Sequence, residues 1–195
     1  MEKAIKRCME FLLAAIIFFT GCGVRIPDVI VQDSVIINRD GTLSEYIIEP
    51  FDRDRYEVAE LYAMADKEAR EYCNDHGQDR VKLQTVEIME QDPSQVRVVF
   101  TYISPKDYSA YNEGEILYGQ VKDYPDVISD SRFQAGVLPD EKEKLLEKHI
   151  LITDVKAVFY CPWQVKYAST GVVIDENGSA DTRGCEGTAI IILGK

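Results

Sequence analysis

Apolar residues recur along this chain at three spacings: every second position, every third or fourth, and in unbroken runs. Between Val29 and Phe51, two β-rich runs flank Asn38-Arg39-Asp40-Gly41. Asp-Gly favours a tight reversal because glycine accepts positive φ without a Cβ clash, so this stretch predicts a hairpin. Val58, Leu61, Ala65, Ala69 and Tyr72 then follow helical spacing, with Met64 on the flank. They predict a helix that starts from an Asp52 or Asp54 cap and stops at Gly77. Val96, Val98, Phe100 and Tyr102 return to a period of two. Val81 and Leu83 lie out of phase with Val86 and Ile88, which predicts a second hairpin across Asp92-Pro93-Ser94 with a bulge near Thr85.

Ser104, Pro105 and Asp107 form a helix-start signature, cap, first position and third position, for a short helix carrying Tyr108 and Tyr111. EILYGQV, residues 115–121, reads as a strand, and DEKEKLLEKH, residues 140–149, as a short helix. The tail, from ILITDVKAVFY through WQVKYAS and GVVID to TAIIIL, reads as short strands. Hairpins with segregated helices predict an α+β domain: an antiparallel sheet covered by one long helix and short helices.

The unbroken run near the start changes the picture. Phe11 to Phe19 is apolar and follows Lys3, Lys6 and Arg7. Crossing a bilayer takes ~20 apolar residues, so the run is too short for a span and fits the core of a signal peptide. Thr20-Gly21 then places a small residue before Cys22, the pattern of a bacterial lipobox, whose cysteine takes a diacylglyceryl group and becomes the new N-terminus. Residues 1–21 are therefore expected as signal peptide, 22–28 as a lipidated tether, and 29–195 as one domain. Removing 21 residues of 195 leaves 174, one domain's worth. The removed segment carries three basic and two acidic residues, so the net charge of −12 becomes −13. Such a charge repels phosphate backbones and excludes nucleic acid as a natural partner. The expected location is the extracytoplasmic face of the cell membrane, held by the lipid on Cys22.

The chain also resembles a family. GTLSEYIIEPFDRDRYEVAEL (41–61), TYISPKDYSAYNE (101–113), YGQV (118–121), CPWQVKYAS (161–169) and TAIIIL (188–193) are similar to segments of small lipoproteins of clostridial-type Gram-positive bacteria. The group's Pro-Gly in the tail turn is replaced here by Pro162-Trp163. The resemblance implies a cell-envelope lipoprotein and carries no assigned catalytic or binding residues.

Candidate chemistry is sparse. Cys73 and His76 stand at i, i+3, but at a helix C-terminus, which raises a thiol pKa rather than lowering it. After Cys8 and Cys22, the odd set Cys73, Cys161 and Cys185 remains; a Cys161–Cys185 bridge competes with the favoured reading of three separate thiols. DENGSADTRGCE, residues 175–186, imitates a calcium loop but has Ala180 where the sharp turn needs glycine. It reads instead as an Asn177-Gly178 hairpin loop between GVVID and TAIIIL. Asp123, Asp126 and Asp130 could gather on a hard cation, but spacing alone makes them a solvated loop. No catalytic residue, metal or cofactor is expected. Tyr108, Tyr111, Tyr118 and Trp163 are the candidate binding residues, as an aromatic platform. The leading expectation is a non-enzymatic binding or structural protein of the envelope, with a cell-wall glycan or an envelope protein as partner. A glycan- or peptide-binding module using exposed aromatics comes second, and an envelope hydrolase working with acidic residues third.

Overall fold

The computed structural model describes residues 24–129 and 142–194. The expected signal peptide, Cys22 and Asp130 lie outside the described residues. The chain opens with the hairpin of β1 (Ser34–Ile37) and β2 (Leu43–Pro50), paired antiparallel from Ser34↔Tyr46 to Ile37↔Leu43. Gly41 takes φ 86° in the turn, and the Asp40 carboxylate accepts from the Thr42 N–H at 3.0 Å and its hydroxyl at 2.7 Å. Helix α1 (Val58–His76) follows and buries Ala65 and Ala69. Its cap position is Glu57, with no side-chain capping bond, so neither Asp52 nor Asp54 starts it. Asp52 instead closes the preceding turn: its carbonyl accepts from the Arg55 and Tyr56 N–H groups and its carboxylate pairs with Arg55. Gly77 ends the helix at φ 117°, donating its N–H to the Cys73 carbonyl.

Strands β3 (Val81–Ile88) and β4 (Gln95–Tyr102) form the second hairpin, with the register shift between Leu83 and Thr85 that the phase slip implies. Helix α2 (Pro105–Tyr111) is capped by Ser104, whose Oγ accepts from the Asp107 N–H at 3.2 Å. Then come β5 (Ile116–Gln120), three 3-10 turns (Val121–Asp123, Pro125–Ser129 and Lys142–Leu145), β6 (His149–Thr153), β7 (Val158–Tyr160), β8 (Gln164–Ala168), β9 (Val173–Ile174), β10 (Ala180–Asp181) and β11 (Ala189–Gly194). The Lys142–Leu145 segment, expected within an α-helix, makes only a 3-10 turn before the chain enters β6.

The result is a mixed α and β fold whose strands are largely antiparallel, in two sheets rather than one. The first has the order β3-β4-β2-β1-β7-β10-β9 and the second β5-β6-β11-β8. One pairing departs from expectation: β1 and β7 run parallel, Ser34 opposite Val158. The first hairpin leaves one edge of β1 open, and the tail returns to fill it. Another departure lies in the tail itself. The expected Asn177-Gly178 hairpin forms, but it joins β9 to the short β10 rather than to TAIIIL. The Asp175 carboxylate holds that loop by accepting from the Asn177 N–H at 2.9 Å and the Ser179 N–H at 2.8 Å.

Every residue of β11 is buried, which requires a strand covered on both faces. Ile191 and Leu193 enter the main core with Leu151, Phe159 and Tyr102. Ile190 and Ile192 face a second cluster with Val121, Leu145 and Ile150, the cover supplied by the 3-10 turns. On the larger sheet, one face carries α1, which packs along β3. On the other face, Val24 and Ile30 pack with Ile36, Tyr46, Val158 and Tyr160. The Arg25 N–H also donates to the Asn177 carbonyl at 3.2 Å, so the chain is docked from Val24 onward.

Candidate binding groove

Strand alternation puts Leu43, Glu45, Ile47 and Glu49 of β2 on the face of the larger sheet that also carries Val96, Val98, Phe100 and Tyr102 of β4. Helix α1 crosses this face near β3 and does not cover all of it. A groove of about 510 Å³ is left between the first half of α1 and the ends of β2 and β4. Its floor is apolar: Ile47, Phe51, Leu61, Val96, Val98 and Phe100. Tyr56 and Met64, 60% and 61% exposed, stand at its lips.

Four of its lining residues are charged, and all four are glutamates: Glu49, Glu57, Glu60 and Glu68. Each is exposed, and none has an ion-pair partner among the described residues. On the neighbouring flank of α1, Asp66 pairs with Arg70 at 2.8 Å and Glu71 with Lys67 at 3.6 Å. A second depression of about 420 Å³, lined by residues of α1, β3 and the turn between them, mixes signs, with Arg70 and Lys82 beside Asp66 and Asp79. Glu57 and Glu60 suit the positive end of the helix dipole, which gives them a structural use. Glu49 and Glu68 have no such use.

The four aromatic candidates do not form one surface. Tyr108 is only 2% exposed, and its ring packs edge-on against Tyr102 at 5.0 Å between centroids. Its hydroxyl donates to the Glu45 carboxylate at 2.9 Å. The Tyr102 hydroxyl donates to the same carboxylate at 2.5 Å, and the Asn112 amide does so at 3.3 Å. Burial raises the Glu45 pKa against the pull of these three donors, and the charge of Asp33 adds to the rise. Burial first, then the Glu45 charge, pushes both tyrosine pKa values above their ordinary value. Tyr111 is half-buried, edge-on to Tyr72 at 5.5 Å, and burial pushes its hydroxyl up to about 12.

Tyr118 and Trp163 belong to a different cluster. His149 stacks on Tyr118 at 5.8 Å and on Trp163 at 5.2 Å, and the Arg39 guanidinium lies 4.9 Å from the Trp163 ring centroid. All three rings are half-buried. Their faces are taken up by one another and by a cation from the first hairpin turn.

The remaining candidates are dispersed. Cys73 Sγ donates to the Val81 carbonyl at 3.2 Å, while His76 stacks on Tyr72 at 4.1 Å. Cys161 and Cys185 are free and buried, and burial pushes the Cys161 thiol up to about 12. No group of three or more His, Cys, Asp or Glu side chains is arranged for a metal ion among the described residues. No helix among them is long and apolar enough to cross a membrane. No protein-family model, curated protein or solved structure matches the chain.

Proposed function

We propose that this chain is a lipid-anchored, extracytoplasmic protein of the cell envelope that acts by binding, not catalysis, at the groove beside α1. One observation carries the binding assignment: an apolar floor with four glutamates around it and no basic residue to balance them. Apolar concavities with a few convergent polar groups are where ligands are bound. The anchor rests on the basic start, the Phe11–Phe19 run, Gly21-Cys22 and the resemblance to clostridial-type lipoproteins. With Val24 already docked, only Gly23 separates it from a lipid on Cys22, so the body would sit within ~10 Å of the membrane surface. The groove opens on the opposite face of the larger sheet from the docked Val24 and Ile30. The partner class remains an envelope protein or a cell-wall component, and the aromatic contribution comes from Tyr56 at the groove lip.

Two measurements test this. Metabolic labelling with a fatty acid should mark the wild-type chain and leave Cys22→Ser unmarked; equal label on both removes the anchor. The folded chain should bind a neutral apolar dye such as Nile red, and Met64→Glu should abolish the signal at unchanged thermal stability. Undiminished dye binding by that variant removes the groove as the site.

A further inference from the structure

On the reading that the groove is a binding site, we infer that its occupant is a cationic amphipathic segment of a partner polypeptide, apolar side down on the groove floor. The charge pattern selects the cation. Glu57, Glu60 and Glu68 project from one side of α1, bracketing Met64, and Glu49 faces them from β2. In the free protein these like charges repel one another, and no side chain of the described chain neutralises them. The neighbouring flank of the same helix is neutralised by Arg70 and Lys67. A shortage of Lys and Arg in this part of the sequence therefore does not explain the bare rim.

The length of the row selects a polypeptide over a small amine. Glu57 and Glu68 are eleven residues apart on a helix, so their carboxylates are spread over ~16 Å. A single small cation meets one end of such a row. A helix or extended segment with Lys or Arg at intervals meets it along its length, while its apolar residues reach Phe51, Leu61 and Phe100 between the carboxylates. This is the helix-in-groove mode, with apolar anchors for affinity and charges for orientation and rate.

The probe is a synthetic amphipathic peptide of leucine and lysine, about four helical turns long. Beside it go a scrambled isomer of the same composition and a version with glutamate for lysine. Binding to the folded chain is followed by fluorescence anisotropy at low salt. The amphipathic cationic peptide should bind most tightly, and its affinity should fall as salt is raised. The combined variant Glu57→Gln, Glu60→Gln, Glu68→Gln should weaken it about tenfold, a factor of two or so for each surface ion pair lost. Glu49→Gln with Glu68→Gln, neither at the helix start, repeats the test should the first variant unfold. Glu113→Gln, Glu176→Gln and Glu186→Gln together remove three exposed charges away from the groove and should change affinity less than twofold.

Equal losses in the rim and remote variants would mean that net charge alone attracts the peptide, and the inference falls. It falls likewise if the scrambled peptide binds as well, or if no peptide binds below ~1 mM. Loss on Met64→Glu of Nile red binding, with peptide affinity untouched by the rim variants, would keep the groove as a site and remove its cationic occupant. Loss of neither would remove the site itself.

Discussion

The hydroxyl of Tyr108 offers the sharpest test of the packing between α2 and the larger sheet. The side chain is 2% exposed, its ring lies 5.0 Å from that of Tyr102, and its hydroxyl reaches Glu45 at 2.9 Å. Tyr108→Ala removes ring and hydroxyl together and should cost ~3–5 kcal/mol, as for other buried aromatics. Tyr108→Phe keeps the ring and removes one hydrogen bond to a charged group, a bond worth ~1.5–3 kcal/mol. Glu45 retains Tyr102 and Asn112, so the carboxylate is not stranded and the cost should lie near the bottom of that range. At this chain length each kcal/mol lowers Tm by ~2–4 °C. Urea titration measures both variants, and an unchanged slope shows that the unfolded state is comparable. If Phe is within ~0.5 kcal/mol of wild type, the hydroxyl–carboxylate bond is not contributing. If Ala is equally harmless, α2 does not bury this face.

Further predictions follow from single contacts. The folded state raises the Glu45 pKa, so between the unfolded and folded values it keeps a proton that the unfolded chain has released. Stability from this group is therefore present at low pH and lost as pH rises from about 4.5 through the folded value. The stability of wild type relative to Glu45→Gln should fall across that window in parallel urea titrations, and a flat or rising difference would refute it. Gly41→Val meets no atom within 4 Å but forces a β-branched residue to φ 86°, so thermal unfolding should show a loss of ~1–3 kcal/mol from backbone strain alone. Asp107 is 3% exposed, donates its N–H to the Ser104 cap of α2 and pairs with Arg80 at 3.1 Å. Asp107→Ala should cost ~2–3 kcal/mol, while Ser104→Ala, which removes the cap alone, should cost ~1. Equal losses would assign no weight to the Arg80 pair.

What was legible in the chain is what is decided locally. Asp40-Gly41 and Asp92-Pro93-Ser94 specify their turns through nearby backbone, and Ser104 reaches Asp107 within one helical turn. The Leu83–Thr85 bulge shows as a phase slip because alternation must be kept on one face. What was hidden depends on partners distant in sequence. Nothing near Ser34 announces Val158, and an apolar run such as β11 announces burial without saying which layers lie on either side. Likewise, four aromatic residues announce apolar surface but not that Arg39 and His149 will claim two of them and Glu45 a third. The first half of the groove was readable. Glu57, Glu60, Met64 and Glu68 fall on one side of a helix, and no base stands four residues from Glu60 or Glu68 to pair with them. Its other half, Glu49 and the β4 floor, is brought there only by the β2–β4 register.

That register also supplies the physical contrast on which the groove rests. Glu45 and Glu49 lie on the same strand and the same face, four residues apart, opposite Phe100 and Val96. Glu45 sits where α2 closes over the sheet, and three side chains donate to it there. Glu49 sits where no element closes over the sheet, and nothing in the described chain donates to its side chain or pairs with it. Leaving a carboxylate buried without donors costs several kcal/mol, which is why Glu45 is so heavily partnered. Leaving one at the rim of an apolar groove costs little, because water satisfies it until something else does. An occupant that brings its own cations can replace that water and cover Val96, Val98 and Phe100 in one step. An apolar occupant without them would trap the carboxylates against a dry surface. The same face of one strand thus holds a carboxylate committed to the fold and a carboxylate left open to a partner.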